Sequence, residues 1–286
     1  MSRFILTVDC PETLGIVRKI SDFIFQLNCT VLEAAEYADV EGKKFYGRWD
    51  FSIVAGHSAL SLEDVEAAFE QIGEEYGMSW TIYDCAVKPK ILLAVSQHGH
   101  CLNDLLYRWK EEESFPGEVV GVVSNHEVFR SKVEWYGLPF YYLPITPETK
   151  PQQENQILDV MSTLGADLLV LARYMQILSD DMCQKVAGHA INIHHSFLPS
   201  FKGARPYHQA RERGVKLSGA TAHYVTSDLD EGPIIEQNVQ RVNHAMSGAK
   251  MARIGKNIEN LVLAKAVYLH CQHRIIIDGN RTIIFE

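Results

Sequence analysis

The chain lacks most of the features that assign a protein class at a glance. Its six cysteines, at 10, 29, 85, 101, 183 and 271, include no Cys-x-x-Cys pair. This excludes a disulfide or zinc framework and points to reduced thiols in a cytoplasmic protein. There is no Lys/Arg-rich run and the formal net charge is −9, so neither nucleic acid nor an anionic membrane is an expected partner. No apolar stretch reaches spanning length, and the run at Phe4 to Val8 is too short for a signal peptide. Gly-x-Gly-x-x-Gly is absent, which removes dinucleotide binding. Gly-x-Ser-x-Gly is absent too, so Ser196 reads as a polar strand-end residue and not as a nucleophile. Histidines 194, 195, 208 and 223 have no metal-ligand spacing, so no metal and no cofactor are expected.

What is present is enough apolar sequence for a large core. The chain has 286 residues, 47% of them hydrophobic, and two domains are expected, over 1–87 and 88–286. In the first, Phe4 to Val8 reads as a strand. Leu14, Val17, Ile20, Phe23, Ile24 and Leu27 have helical spacing. Residues 29–39 and 43–54 read as strands around Glu41-Gly42, Ser61 to Asp64 as a capping-box helix start, and Ser79 to Val87 as a last strand. The order βαββαβ is ferredoxin-like. Its Asp9-Cys10-Pro11-Glu12-Thr13-Leu14-Gly15-Ile16-Val17 resembles the ACT domains, small-molecule-sensing modules of metabolic enzymes. That resemblance implies a regulatory or oligomerisation role, with an amino-acid effector near Asp9, Leu14 and Gly15.

In the second domain, strands at 91–96, 119–124, 140–143, 166–171 and 190–194 alternate with helical patterns. This implies a Rossmann-like, doubly wound, mostly parallel sheet, whose ligands bind beyond the carboxyl ends of the strands. Strands at 218–225 and 234–239, a helix over 247–270 and a hairpin around Asp278-Gly279 follow.

The most informative run is Ala190-Ile191-Asn192-Ile193-His194-His195-Ser196, a buried strand ending at Ser196. Residues two apart share a face of a strand, so the Asn192 carboxamide and the His194 imidazole point into one site. An amide N–H can hold a carbonyl oxygen while an imidazole carries a proton, a pairing suited to acyl chemistry. His195 is expected to face away, and His223 to hydrogen-bond within the site or within the core. The loop Thr226 to Pro233 can bring the Asp230 carboxylate to the pair.

These segments resemble the formyltetrahydrofolate-using hydrolases and transferases, most closely the deformylases. The matching motifs are Asn192-Ile193-His194-His195-Ser196-Phe197-Leu198-Pro199-Ser200-Phe201-Lys202-Gly203, Gly203-Ala204-Arg205-Pro206-Tyr207-His208-Gln209-Ala210, Leu229-Asp230-Glu231-Gly232-Pro233 and Gly279-Asn280-Arg281-Thr282. The resemblance covers essentially the whole chain. It implies Asn192, His194 and Asp230 as the catalytic trio. It also implies a folate pocket at Met175, Gln176, Ile177 and Leu178, with Gly203 and His223, and 10-formyltetrahydrofolate as a substrate of one-carbon and purine metabolism. The expected assembly is a homo-oligomer, a dimer or a tetramer. The turn Ser96 to Asn103 carries His98, His100 and Cys101, whose side chains crowd any phosphate nest, so water is the expected formyl acceptor. A formyltransferase to an amine of the glycinamide ribonucleotide type and a non-catalytic folate- or amino-acid-sensing protein are the alternatives.

Overall fold

A computed structural model describes residues 2–198 and 212–286. They fall into two compact units. One is Met1–Lys88 with Gln272–Asp278 and Ile283–Glu286, and the other is Pro89–Cys271 with Gly279–Thr282.

The first unit runs β1 (Arg3–Pro11), α1 (Ile16–Gln26), β2 (Cys29–Asp39), β3 (Lys44–Ile53), α2 (Leu62–Tyr76) and β4 (Ser79–Asp84). Its sheet has the order β2-β3-β1-β4 with antiparallel pairing throughout. Helix α2 starts where Ser61 and Asp64 exchange side-chain and backbone hydrogen bonds, and it ends at left-handed Gly77. Phe4, Leu6 and Phe51 from the strands and Ile20, Phe23 and Phe69 from the helices share one core.

The last residues of the chain differ from the expected single division at 87/88. Arg48 has only 2% of its surface exposed, and its guanidinium donates to the carbonyls of His273 and Gln272. Arg274 forms paired hydrogen bonds with Glu33 at 2.9 and 2.7 Å, and the His273 ring stacks on Tyr83. Glu33 and Asp50 of the βαββαβ segment pair with the buried Arg48 charge, and residues 272 and 273 complete its hydrogen bonding.

The second unit runs β5 (Lys90–Val95), α3 (His100–Glu111), β6 (Glu118–Ser124), α4 (Arg130–Trp135), β7 (Phe140–Tyr142), α5 (Lys150–Leu164), β8 (Leu168–Leu171), α6 (Asp180–Lys185), β9 (Ala190–His194), β10 (Leu217–Tyr224), β11 (Ile234–Arg241) and α7 (Gly248–Cys271). Strands β12 (Ile275–Asp278) and β13 (Arg281–Ile284) form a separate two-stranded sheet. The seven-stranded sheet has the order β11-β10-β9-β8-β5-β6-β7, parallel from β9 to β7 and antiparallel at β10 and β11. From β5 the chain winds first to β6 and β7, then crosses back to β8 and β9. The reversal opens a crevice at the carboxyl ends of β5 and β8.

Candidate active site

Strand β9 is an apolar run interrupted by Asn192 and His194, and one edge of it pairs with β10. The register sets His223 opposite Asn192 and Thr221 opposite His194. The Nδ1–H of His223 donates to the Tyr224 carbonyl at 2.9 Å, which leaves Nε2 as an acceptor, and the Asn192 amide donates to it at 3.2 Å. One amide hydrogen of Asn192 is thereby used and the other remains for a ligand.

His194 is fixed at both nitrogens. Nδ1 lies 3.1 Å from Oδ1 of Asp230, and Nε2 shares a hydrogen bond with Ser196 Oγ at 2.8 Å. Asp230 has a φ of +58°, a left-handed conformation that Asp tolerates better than most residues and that turns its carboxylate back toward β9. Gly232 is required two residues later, because a Cβ there would lie 1.8 Å from the Tyr224 carbonyl oxygen. Burial works against the Asp230 charge. The His194 hydrogen bond and the neighbouring imidazoles outweigh it and leave the carboxyl below its ordinary value. Burial also lowers the His223 pKa, against the pull of the Tyr224 carbonyl and Asp230, in keeping with a neutral ring.

These groups open onto a cavity of about 650 Å³. Met175, Gln176, Ile177 and Leu178 line it, as do Asn192, His194, His223 and Asp230. Met175 and Ile177 are more than half exposed, so they form an apolar lip, while Leu178 packs onto the core beneath. The loop is anchored where the backbone N–H of Met175 donates to Ser96 Oγ, whose own hydroxyl donates to Asn125. Gly203 lies outside the described residues. Asp9, Leu14 and Gly15 lie in the other unit at the β1–α1 junction. Gly15 caps α1 at φ +93°, Leu14 is 97% exposed, and burial raises the Asp9 pKa.

Three expectations need correction. The strand ends at His194 and not at Ser196. Alternation stops with it, so His195 does not face away. It lines the same cavity, its ring centroid 5.3 Å from that of His194. Of the turn residues thought to crowd a phosphate nest, His98 and His100 line the cavity, whereas Cys101 is fully buried in the core.

The far wall was not foreseen. Glu259, on α7 and 1% exposed, holds Nε2 of His100 at 2.7 Å and Nε of Arg173 at 3.4 Å. Its signal in the sequence is a carboxylate on the apolar stripe Met251, Gly255, Ile258 and Val262, where an unpaired charge is rarely tolerated. Donor atoms of His100, Cys101 and Glu259 lie within 4.8 Å of one another. The Arg173 guanidinium sits against the same Glu259 oxygen that meets His100, so this cluster fits an ion-pair network and not a cation site. Burial followed by Arg173 and Lys256 lowers the His98 pKa, and burial raises that of the Cys101 thiol well above its usual range.

A switch-point crevice in a mostly parallel sheet, with a carboxamide, an imidazole and a carboxylate at its rim, defines a formyl transferase-type enzyme. The family described as formyl transferase matches residues 89–267. Over nearly its whole length, the chain belongs to the formyltetrahydrofolate deformylase family. It is 46% identical over 285 residues to the formyltetrahydrofolate deformylase of Corynebacterium sp. (strain P-1), covering 99% of this chain and 98% of that one. The crystal structure of a formyltetrahydrofolate deformylase from Burkholderia mallei superposes with a TM-score of 0.94 at 46% identity, covering both chains completely. A glycinamide ribonucleotide transformylase from Symbiobacterium toebii, 28% identical, reaches 0.66 over 71% of this chain and 97% of its own.

Proposed function

We propose that the protein hydrolyses 10-formyltetrahydrofolate to formate and tetrahydrofolate. The observation that carries this reading is the convergence of two fixed pairs, Asn192 with His223 and His194 with Asp230, on one cavity. A formamide is a poor electrophile, and its carbonyl oxygen gains negative charge as water adds. The unused N–H of Asn192 meets that oxygen, a contact whose removal typically costs about 10²- to 10³-fold in rate. The Asp230 carboxylate, kept ionised by His194, orients water at the formyl carbon. The pair then passes a proton to N10, so that the folate leaves as a neutral amine. Met175, Ile177 and Leu178 receive the pterin and Gln176 its polar edge.

Water is the acceptor in this reading because His98 and His100 occupy the wall where a phosphorylated amine would need open backbone N–H groups. Assay of formate from 10-formyltetrahydrofolate in water, with and without glycinamide ribonucleotide, tests it. Formate is expected without any amine, and transfer that depends on the amine overturns the reading.

The first unit is read as a ferredoxin-like ACT module that drives homo-oligomerisation, as dimer or tetramer, and senses an amino acid near Asp9, Leu14 and Gly15. Leu14 and Phe25, 97% and 80% exposed, are apolar surface that a second copy would cover. A cytoplasmic location suits six free thiols. No described helix is long and apolar enough to cross a membrane.

A further inference from the structure

Arg173 follows β8 with a φ of +66°, a left-handed conformation that a residue with a long side chain rarely takes. Its backbone is tied to the end of β5, where the Ser96 N–H donates to the Arg173 carbonyl at 3.2 Å and the Ala172 N–H donates to Ala94 at 2.8 Å. Strain of this kind persists where the surroundings fix it, and it gathers at functional sites. In the parallel β8–β9 pair, Leu171 stands in register with Asn192. Arg173 and His194 each come two residues later, so they leave neighbouring strand ends, about 4.8 Å apart, at the same level of the crevice.

The Arg173 side chain lines the cavity, yet the residue is only 8% exposed. Its Nε is shielded from solvent and makes no hydrogen bond, although Glu259 Oε2 lies 3.4 Å away. That oxygen is already shared with Nε2 of His100 at 2.7 Å. Among the described residues, Glu259 is the one carboxylate in ion-pair reach of the guanidinium, and none accepts a hydrogen bond from its terminal amines. A guanidinium carries five donors in a flat fork, and burying it with the fork unused is unfavourable. His98 shares this wall, but burial, then Arg173 and Lys256, lower its pKa, so its ring is neutral near neutral pH. Lys256 lines the cavity from an exposed position. Arg173 is therefore the buried permanent cation of the wall, and its fork has the shape of a carboxylate.

We propose that Arg173 is the binding site for the carboxylate of formate, the product that hydrolysis makes and formyl transfer does not. This assignment rests on the hydrolase reading above. In hydrolysis the formyl oxygen and the oxygen of the attacking water become the two oxygens of one anion. Asn192 faces the first, and the Arg173 fork takes the second. A folate carboxylate is the poorer occupant. The glutamate end of the folate lies beyond a benzoyl ring from N10, so with the formyl group at His194 it falls short of a buried guanidinium at the same level.

The test uses the full chain with Arg173→Gln and Arg173→Lys. Formate is titrated at constant ionic strength as an inhibitor of turnover, and isotope-labelled formate is titrated by NMR into the tetrahydrofolate-bound protein. Formate is expected to inhibit and bind wild type, and inorganic phosphate to compete less well. Arg173→Gln is expected to weaken formate about tenfold or more, with tetrahydrofolate affinity within threefold of wild type and an unchanged circular dichroism spectrum. Arg173→Lys keeps a cation opposite Glu259 without the fork, and a loss of about three- to tenfold is expected. An arginine that served only the fold would not change formate affinity selectively. The assignment is overturned by a wild type that formate neither inhibits nor binds, by an Arg173→Gln formate affinity within threefold of wild type, by a loss confined to tetrahydrofolate affinity, or by phosphate that competes better than formate. Should Arg173→Gln fail to fold, Arg173→Lys decides, and an unchanged formate affinity there overturns the assignment. A wild-type chain that releases no formate overturns the hydrolase reading together with this assignment, whereas active wild type whose formate affinity survives Arg173→Gln overturns this assignment alone.

Discussion

The Asn192 amide donates to Nε2 of His223 across the β9–β10 pair, 3.2 Å away. That contact fixes which way the carboxamide faces, because the opposite nitrogen of the same imidazole is already committed to the Tyr224 carbonyl. Asn192→Ala is therefore expected to lower kcat about 10²- to 10³-fold while folate affinity stays within a few-fold. His223→Phe, which keeps the ring but not the acceptor, is expected to fall by a smaller factor in kcat alone. Steady-state kinetics with a direct binding titration check both. An Asn192→Ala enzyme with near-normal kcat removes the amide from the reaction.

Asp230→Asn keeps a side chain that tolerates the left-handed backbone seen at this position. Most turnover is expected to vanish, with tetrahydrofolate binding still measurable. Asp230→Ala is expected to lose stability as well, since alanine is strained at positive φ. Normal turnover in the Asn variant takes Asp230 out of the mechanism.

Gly232→Ala would place a methyl group 1.8 Å from the Tyr224 carbonyl oxygen and 3.2 Å from Nδ1 of His223. The strand must shift, and the carbonyl that holds His223 moves with it. A loss of roughly 1–3 kcal/mol in stability is expected from such overpacking, with a kcat loss beyond tenfold. A wild-type melting temperature and kcat in this variant would mean the loop has room that its geometry does not show.

Acid should destabilise the second unit early. Burial lowers the pKa values of His195 and His270 from 6.5 to about 4, and Nδ1 of His270 accepts the Tyr224 hydroxyl at 2.8 Å. As pH falls from 6.5 toward 4, the unfolded chain takes up protons that the folded one refuses. Stability is complete above 6.5 and drops by about 1.4 kcal/mol per pH unit for each group. Asp230 acts in the same direction at lower pH. Its contribution is present above 3.8 and disappears as pH falls through its lowered value. Thermal melts from pH 7.5 to 4.5 should slope steadily downward below 6.5, and a flat profile would contradict the burial of both rings.

The sequence announced what is local and periodic. The apolar run at 190–194, the Ser61 capping box and the alternation of strands with helices were legible because each is written in neighbouring residues. The i, i+2 logic placed Asn192 and His194 on one face. It misplaced His195 because alternation holds only while the strand continues, and nothing in the run marks the end at His194 rather than Ser196. Glu259 lies 159 residues from His100 and 86 from Arg173, so its partners became visible only in the fold. The bonds between Arg48 and the backbone of 272 and 273 span 224 and 225 residues and leave no local signal for the same reason.

Those bonds also order events in time. The βαββαβ segment is synthesised first, yet the carbonyls that receive the buried Arg48 guanidinium leave the ribosome only after Pro89–Cys271 of the second unit has been made. Until then the nascent first unit carries a cation with part of its hydrogen bonding missing, and closing so distant a contact is slow compared with forming local ones. The last hydrogen bonds of the first unit therefore wait on synthesis of the chain through residue 273. A proteolytic cut just before Gln272 would return the first unit to its half-made condition while leaving every strand of the large sheet intact.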